Sequence, residues 1–176
     1  MNSLNRRTRF SVARLAGIIV ASIMILVGAS CSNQEREQVL EMKHKTEALK
    51  IEMTGNIRQG LAGLGIKDGA PFLGNNSDIQ RFWGAALKQA DELAPLIPQI
   101  RTHDPAFKME FEVGWTQGML ENGLKARAQL DDIFKNHPVM NEHEAHVAWS
   151  FMYAAHSLAE DVGQPDPFPN YAVKAP

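Results

Sequence analysis

His137, Met140, His143 and His146 fall at steps of three in "HPVMNEHEAH", the densest run of metal-ligating side chains in the chain. Imidazole with thioether suits copper, above all Cu(I), whereas imidazole alone suits zinc or nickel. A helical residue turns about 100° and rises about 1.5 Å. His143 and His146 therefore lie near each other on one face and can approach a single ion. His137 and Met140 precede that helix and can fold over its first turn. His156 lies about 15 Å further along the axis, too far to share the ion. It stands near Met152 and Trp149 on the flank of an apolar surface, as a buried, hydrogen-bonded histidine would. The same stretch also reads as helix punctuation. Asn141 is an N-cap, Glu144 the third-residue member of a capping box, and Met140 sits where a hydrophobic staple packs.

Other chemistries find less support. Covalent haem needs a CxxCH motif, and Cys31 is the sole cysteine. A di-iron bundle needs two Glu-x-x-His pairs. Glu41-Met42-Lys43-His44 is the one such spacing, and it lies opposite its helix's apolar stripe. No GxSxG or HExxH occurs. Glu110, Glu121, Asp131 and Asp132 fall on polar helix faces, so no paired carboxylates point to a hydrolase. The Gly-rich segment 60–77 follows no strand, lacks GxGxxG and the P-loop pattern, and has only Lys67 as a nearby base. Trp83, Trp115, Trp149 and Tyr153 are the aromatic residues available to line an interhelical ligand pocket.

The elements that would position these residues are helices. Val39, Met42, Thr46, Leu49, Met53, Ile57 and Leu64 recur at steps of three and four, which predicts a helix over about 34–64. Ser77 with Gln80 reads as a capping box opening a second helix, kinked by Pro95 and Pro98 but in phase through Ile100. Asp104-Pro105 reads as the start of a third, running to about Lys135. Its two apolar stripes predict a central helix with two packing partners. Gly114 and Gly118, four apart, suit local close packing. A fourth helix covers 141–162, before Gly163. The tail "GQPDPFPNYAVKAP" is extended, with Phe168 and Tyr171 able to dock it. The expected fold is all-α, a bundle of about four helices over 34–162 with a Pro-rich tail over 163–176.

The N-terminus is segregated. Residues 1–14 carry four arginines and no acid, and residues 15–29 carry no charge. A basic region followed by a short apolar run has the form of a secretory signal. It is shorter than the roughly 20 residues of a comfortable bilayer span. Cys31 follows in "LVGASCSNQ". This position resembles the lipobox of bacterial lipoproteins, with small Ala29 and Ser30 before the cysteine and Gly28 where leucine is usual. The resemblance covers residues 1–32 alone. It implies cleavage before Cys31, acylation of its thiol, and attachment of residues 31–33 to a membrane. Ser32 beside the cysteine carries no inner-membrane retention signal, which favours the outer membrane. Cleavage after Ala29 is the alternative.

Loss of residues 1–30 removes four positive charges, leaving 14 Lys+Arg against 20 Asp+Glu and a net charge of about −6. Such a domain is a poor nucleic-acid ligand and is not drawn to anionic lipid, so attachment rests on acyl chains. The sequence thus predicts a non-enzymatic, lipid-anchored envelope protein facing the periplasm. It would act as a helical interaction or structural module with an envelope protein partner. The alternatives are a copper, zinc or nickel binder or sensor at 137–146, and a small-ligand-binding bundle. Cys31→Ser should move the protein from the membrane fraction to the soluble fraction. Full membrane retention of that variant would refute acylation as the anchor.

Overall fold

The computed structural model describes residues 8–170 except residue 138, with side chains from residue 33 onward. The Cys31 side chain, Pro138 and Tyr171 lie outside what is described, and the structure does not bear on the processing of residues 1–30. The chain divides into two units, residues 1–42 and 43–176. The order is α1 (Thr8–Leu61), β1 (Gly65–Lys67), β2 (Ala70–Phe72), α2 (Asn76–Leu93), α3 (Leu96–His103), α4 (Val113–Asn136) and α5 (Glu142–Asp161). This is the expected all-α bundle of about four helices. Among the described residues no helix is long and apolar enough to cross a membrane.

The first unit is helical from Thr8, and its described side chains are exposed apart from half-buried Val39 and Met42. In the second unit, α1 buries Thr46, Leu49, Met53 and Ile57, the expected stripe. The helix ends at Leu61, so Leu64 lies beyond it and packs on the core from the following loop.

The Gly-rich segment is not a plain break. β1 and β2 pair antiparallel, with Lys67 opposite Ala70. Between them Asp68 and Gly69 have φ of 52° and 78°. Two consecutive positive φ values make a type I′ turn, whose sense of twist matches paired strands. Lys67 Nζ lies 3.3 Å from the Phe72 ring centroid. Arg127, only 4% exposed, donates from Nε to the Leu73 carbonyl and from Nη2 to the Gly74 carbonyl. Its Nη1 reaches Asp131 at 2.7 Å. The guanidinium therefore ties the loop after the hairpin to α4.

Three helix starts differ from the sequence expectation. The N-cap of α2 is Asn75, not Ser77; its side chain accepts from the Ser77 amide. Gln80 donates to the Leu124 carbonyl of α4 instead of closing a capping box. Pro95 and Pro98 do more than kink one helix, since α2 stops at Leu93 and α3 begins at Leu96. Pro98 then occupies the first turn of α3, where an amide would lack an intrahelical partner anyway. Leu93, Ile97 and Ile100 remain buried across the break. Asp104 does not open the next helix. Its Oδ1 accepts from the Ala106 amide and its Oδ2 meets Lys43 Nζ of α1 at 2.7 Å. These bonds hold residues 104–112 as a non-helical connection, and α4 starts at Val113. The Lys43 ammonium holds the Asp104 carboxyl below the usual carboxylate range.

α4 packs against both α2 and α5, as its two stripes require. Trp83 of α2 is fully buried, with its ring centroid 5.5 Å from that of Phe151 of α5. A Cβ on Gly60 of α1 would collide with the indole nitrogen edge, and one on Gly123 of α4 would fall 2.6 Å from the benzo edge. Gly123, not Gly114 or Gly118, is thus the close approach on α4; a Cβ at either of the latter meets nothing.

α5 forms as its sequence reads. Asn141 accepts from the Glu144 amide and Glu144 Oε2 accepts from the Asn141 amide, which completes the capping box. At the other end Gly163 takes φ of 63°, the Gly163 amide donates to Glu160, and the Gln164 amide donates to Ala159. This is a Schellman stop. His156 Nδ1 lies 2.9 Å from Asp166 Oδ2, and Asp166 Oδ1 accepts from the Phe168 amide. Phe168 is fully buried, so the tail docks as expected at this residue.

Near the end of α5, Thr116 Oγ1 stands 2.7 Å from Asp161 Oδ2 and 3.2 Å from the Glu112 carbonyl. A hydroxyl has one proton for these two acceptors. Burial raises the Asp161 carboxyl above its usual range, opposed by the Thr116 hydrogen bond and assisted by neighbouring Glu160.

Two stability predictions follow from this packing. Alanine for a mid-helix glycine ordinarily gains up to about 1 kcal/mol in propensity. Gly123→Ala should instead lose about 1–3 kcal/mol through overpacking against Trp83, measured by thermal or urea unfolding. Asp161→Asn should stabilise the fold at pH 7 by about 0.5 kcal/mol, removing a carboxylate from a helix C-terminus and supplying a donor to Thr116. A raised folded-state pKa favours folding below the unfolded value and loses that contribution as pH rises. The advantage of Asp161→Asn should therefore shrink on acidification through the carboxylate range. A gain that grows on acidification would contradict the assignment.

Candidate functional site

The four sequence-predicted ligands separate into two pairs. His137 caps the C-terminus of α4, and its Nδ1 lies 3.1 Å from Glu144 Oε1. That carboxylate is buried and already serves the Asn141 cap through its other oxygen. Met140 precedes the cap and is exposed. Neither His137 nor Met140 lines the cleft in which the second pair stands. Among the described residues no group of three or more His, Cys, Asp or Glu side chains is arranged to hold a metal ion.

His143 and His146 border a cleft of about 600 Å³ between α4 and α5. The capping box fixes where α5 begins and so aims both residues at the same side, three positions apart. The buried side chains Met119, Ala126, Val147 and Ala154 supply its apolar lining. Polar groups converge from both helices: Asn122, Lys125 and Gln129 from α4, Ser150 and Tyr153 from α5. Ser150 Oγ is occupied locally, donating to the His146 carbonyl at 2.8 Å. The α4 polar residues do not stand out in the sequence. Their recurrence at helical spacing, without an acid among them, was the available signal.

Along α5 the rings of His146, Trp149, Tyr153 and His156 follow one another. Trp149 lies 5.3 Å from His146 and is stacked on Tyr153 at 5.2 Å and 19°. Tyr153 and His156 are 6.4 Å apart. Side chains three and four apart on a helix are neighbours, so the succession follows from spacing alone. His156 faces away from ligand chemistry: Asp166 occupies Nδ1, and Glu160 lies 3.6 Å from Nε2. It is hydrogen-bonded as expected, but half-buried instead of buried.

The aromatic quartet of the sequence reading does not share one pocket. Trp83 is in the core, where the helices meet, and Trp115 is exposed on α4. Only Trp149 and Tyr153 line the cleft. Glu41 and His44 of the lone Glu-x-x-His are both exposed, as read. Ser157, further along α5, is buried.

Two indole nitrogens are buried without a protein hydrogen-bond partner, those of Trp83 and Trp149. That of Trp83 is pressed against Gly60 in the core. Trp149 belongs to the cleft wall. No protein family, curated protein or solved structure matches this chain.

Proposed function

We propose that the protein is an exported, non-enzymatic binding module of the bacterial cell envelope, anchored by acyl chains on Cys31, with the outer membrane favoured. It engages its target in the α4–α5 cleft. The observation that carries the reading is the cleft itself. Its volume of about 600 Å³ suits a small molecule or an inserted side chain. Its lining combines buried apolar surface with polar groups converging from two rigid helices, which is the ordinary make-up of a recognition site. The lipobox resemblance and the sole cysteine support the anchor. The placement of Asp, Glu and His side chains in caps and ties, at Asn141–Glu144 and His156–Asp166, supports a structural use of residues that would otherwise suggest catalysis.

A second reading is supported by the placement of His143 and His146 three residues apart on the cleft wall. In it the imidazoles bind copper, zinc or nickel, with further ligands supplied by the target. Mass spectrometry and metal analysis of the protein purified from its own envelope separate the two. A small molecule retained by the native chain and lost in Ser150→Trp, which fills the cleft, is the expected result. Stoichiometric metal lost in the His143→Ala, His146→Ala double variant would establish the second reading instead.

A further inference from the structure

We infer that the α4–α5 cleft binds a small organic anion, an apolar or aromatic body carrying one acidic head group. The inference rests on the cleft being the binding site and adds the chemical class of its occupant.

Charge is the first argument. The chain is acidic overall, with a formal net charge of −2 at neutral pH. Five of its other described cations are ion-paired: Lys43 with Asp104, Lys45 with Glu92, Lys50 with Glu47 and Glu110, Arg81 with Asp78, and Arg127 with Asp131. The cleft lining differs from the acidic average of the chain. Lys125 comes from α4, His143 and His146 come from α5, and no aspartate or glutamate lines it among the described residues. The side chains of Lys125 and His143 have no ion-pair or hydrogen-bond partner among the described residues. The Lys125 ammonium faces this concavity beside two imidazoles with no carboxylate in the lining, which makes the local field more positive than that of the acidic protein as a whole. A low-dielectric wall strengthens such a field.

The second argument is the Trp149 indole nitrogen. It is a donor only, it is buried, and no protein acceptor meets it. A buried donor left unmet costs about 1–3 kcal/mol, a cost that a ligand acceptor would recover by drawing the indole toward the cleft. An anionic head offers acceptors alone, which fits the Lys125 ammonium and imidazole N–H donors together.

The third argument is the rest of the lining. Met119, Ala126, Val147 and Ala154 offer no polar atom to a ligand and would cover an apolar body. Trp149 and Tyr153, stacked on each other, add aromatic surface to the cleft wall. Inorganic phosphate alone would leave this surface uncovered, and a polyanion would meet an acidic protein outside the cleft.

The probes are naphthylacetate and its neutral counterpart naphthylacetamide, titrated calorimetrically into the purified full-length chain. The acid should bind at least about ten-fold more tightly than the amide, and less tightly at raised salt. Lys125→Gln should cost the acid about ten-fold and leave the amide unchanged. Trp149→Phe keeps a ring and removes the donor, and should weaken the acid about five-fold. Ser150→Trp should abolish binding of both, with an unchanged melting transition showing that the fold is intact. Equal affinities for acid and amide, or an indifferent Lys125→Gln, would overturn the anionic class while leaving the cleft as a binding site. Binding of neither probe would overturn both. Zinc binding lost in His143→Gln, with no binding of the acid, would replace the anion by a metal.

Discussion

One indole ring sets the spacing of the bundle. Trp83 reaches from α2 to meet Phe151 of α5, while Gly60 of α1 and Gly123 of α4 present bare backbone to its two edges. Four helices converge there because the largest side chain meets the two smallest residues. The surrounding positions follow the same economy of volume, with fully buried Ala86 and Ala90 on α2 and Ala154 and Ala155 on α5. Interiors are packed as densely as organic crystals, so a large ring confines its neighbours to small residues. The arrangement leaves the Trp83 nitrogen without an acceptor, a cost that shape complementarity offsets.

The cleft is a consequence of that packing. Ala154 lies within van der Waals reach of a Cβ built on Gly123, so α4 and α5 are close at this level. Beyond the small residues the two helices carry long side chains, Lys125 and Gln129 facing His146, Trp149 and Tyr153 across the opening. Space opens where long polar residues replace alanine. Around the periphery single polar ties fix what packing does not. Arg127 holds the hairpin exit, Arg58 donates to the Val162 carbonyl at the end of α5, and Asp166 links His156 to the tail.

Local patterns were legible in the sequence and distant partnerships were not. The capping box of α5, the Thr46–Ile57 stretch of the α1 stripe and the Gly163 stop are encoded within a few residues, and each forms as read. Asp104 resembles a helix cap by every local criterion. Lys43, sixty-one positions away, draws its carboxylate elsewhere, and α4 begins only at Val113. The hairpin was legible in principle, since Asp68-Gly69 is a strong I′ turn signal. It was obscured by glycines on both sides and by strands only three residues long. The candidate site was half visible. His143 and His146 stand out by type, whereas Lys125, Asn122 and Gln129 acquire meaning only once α4 lies beside α5. Trp83 and Trp149 look alike in the sequence, and only tertiary packing sends one to the core and the other to the cleft wall.

Phe168 lies far along the chain from Thr46, yet both belong to the same buried interior. A chain that emerges N-terminus first cannot close its apolar interior until residue 168 is free to insert. Up to that moment Leu158, Ala159 and Val162 lack part of their cover. The segment that carries Phe168 thus acts as a latch on the core, linking the region after α5 to the closure of the whole bundle.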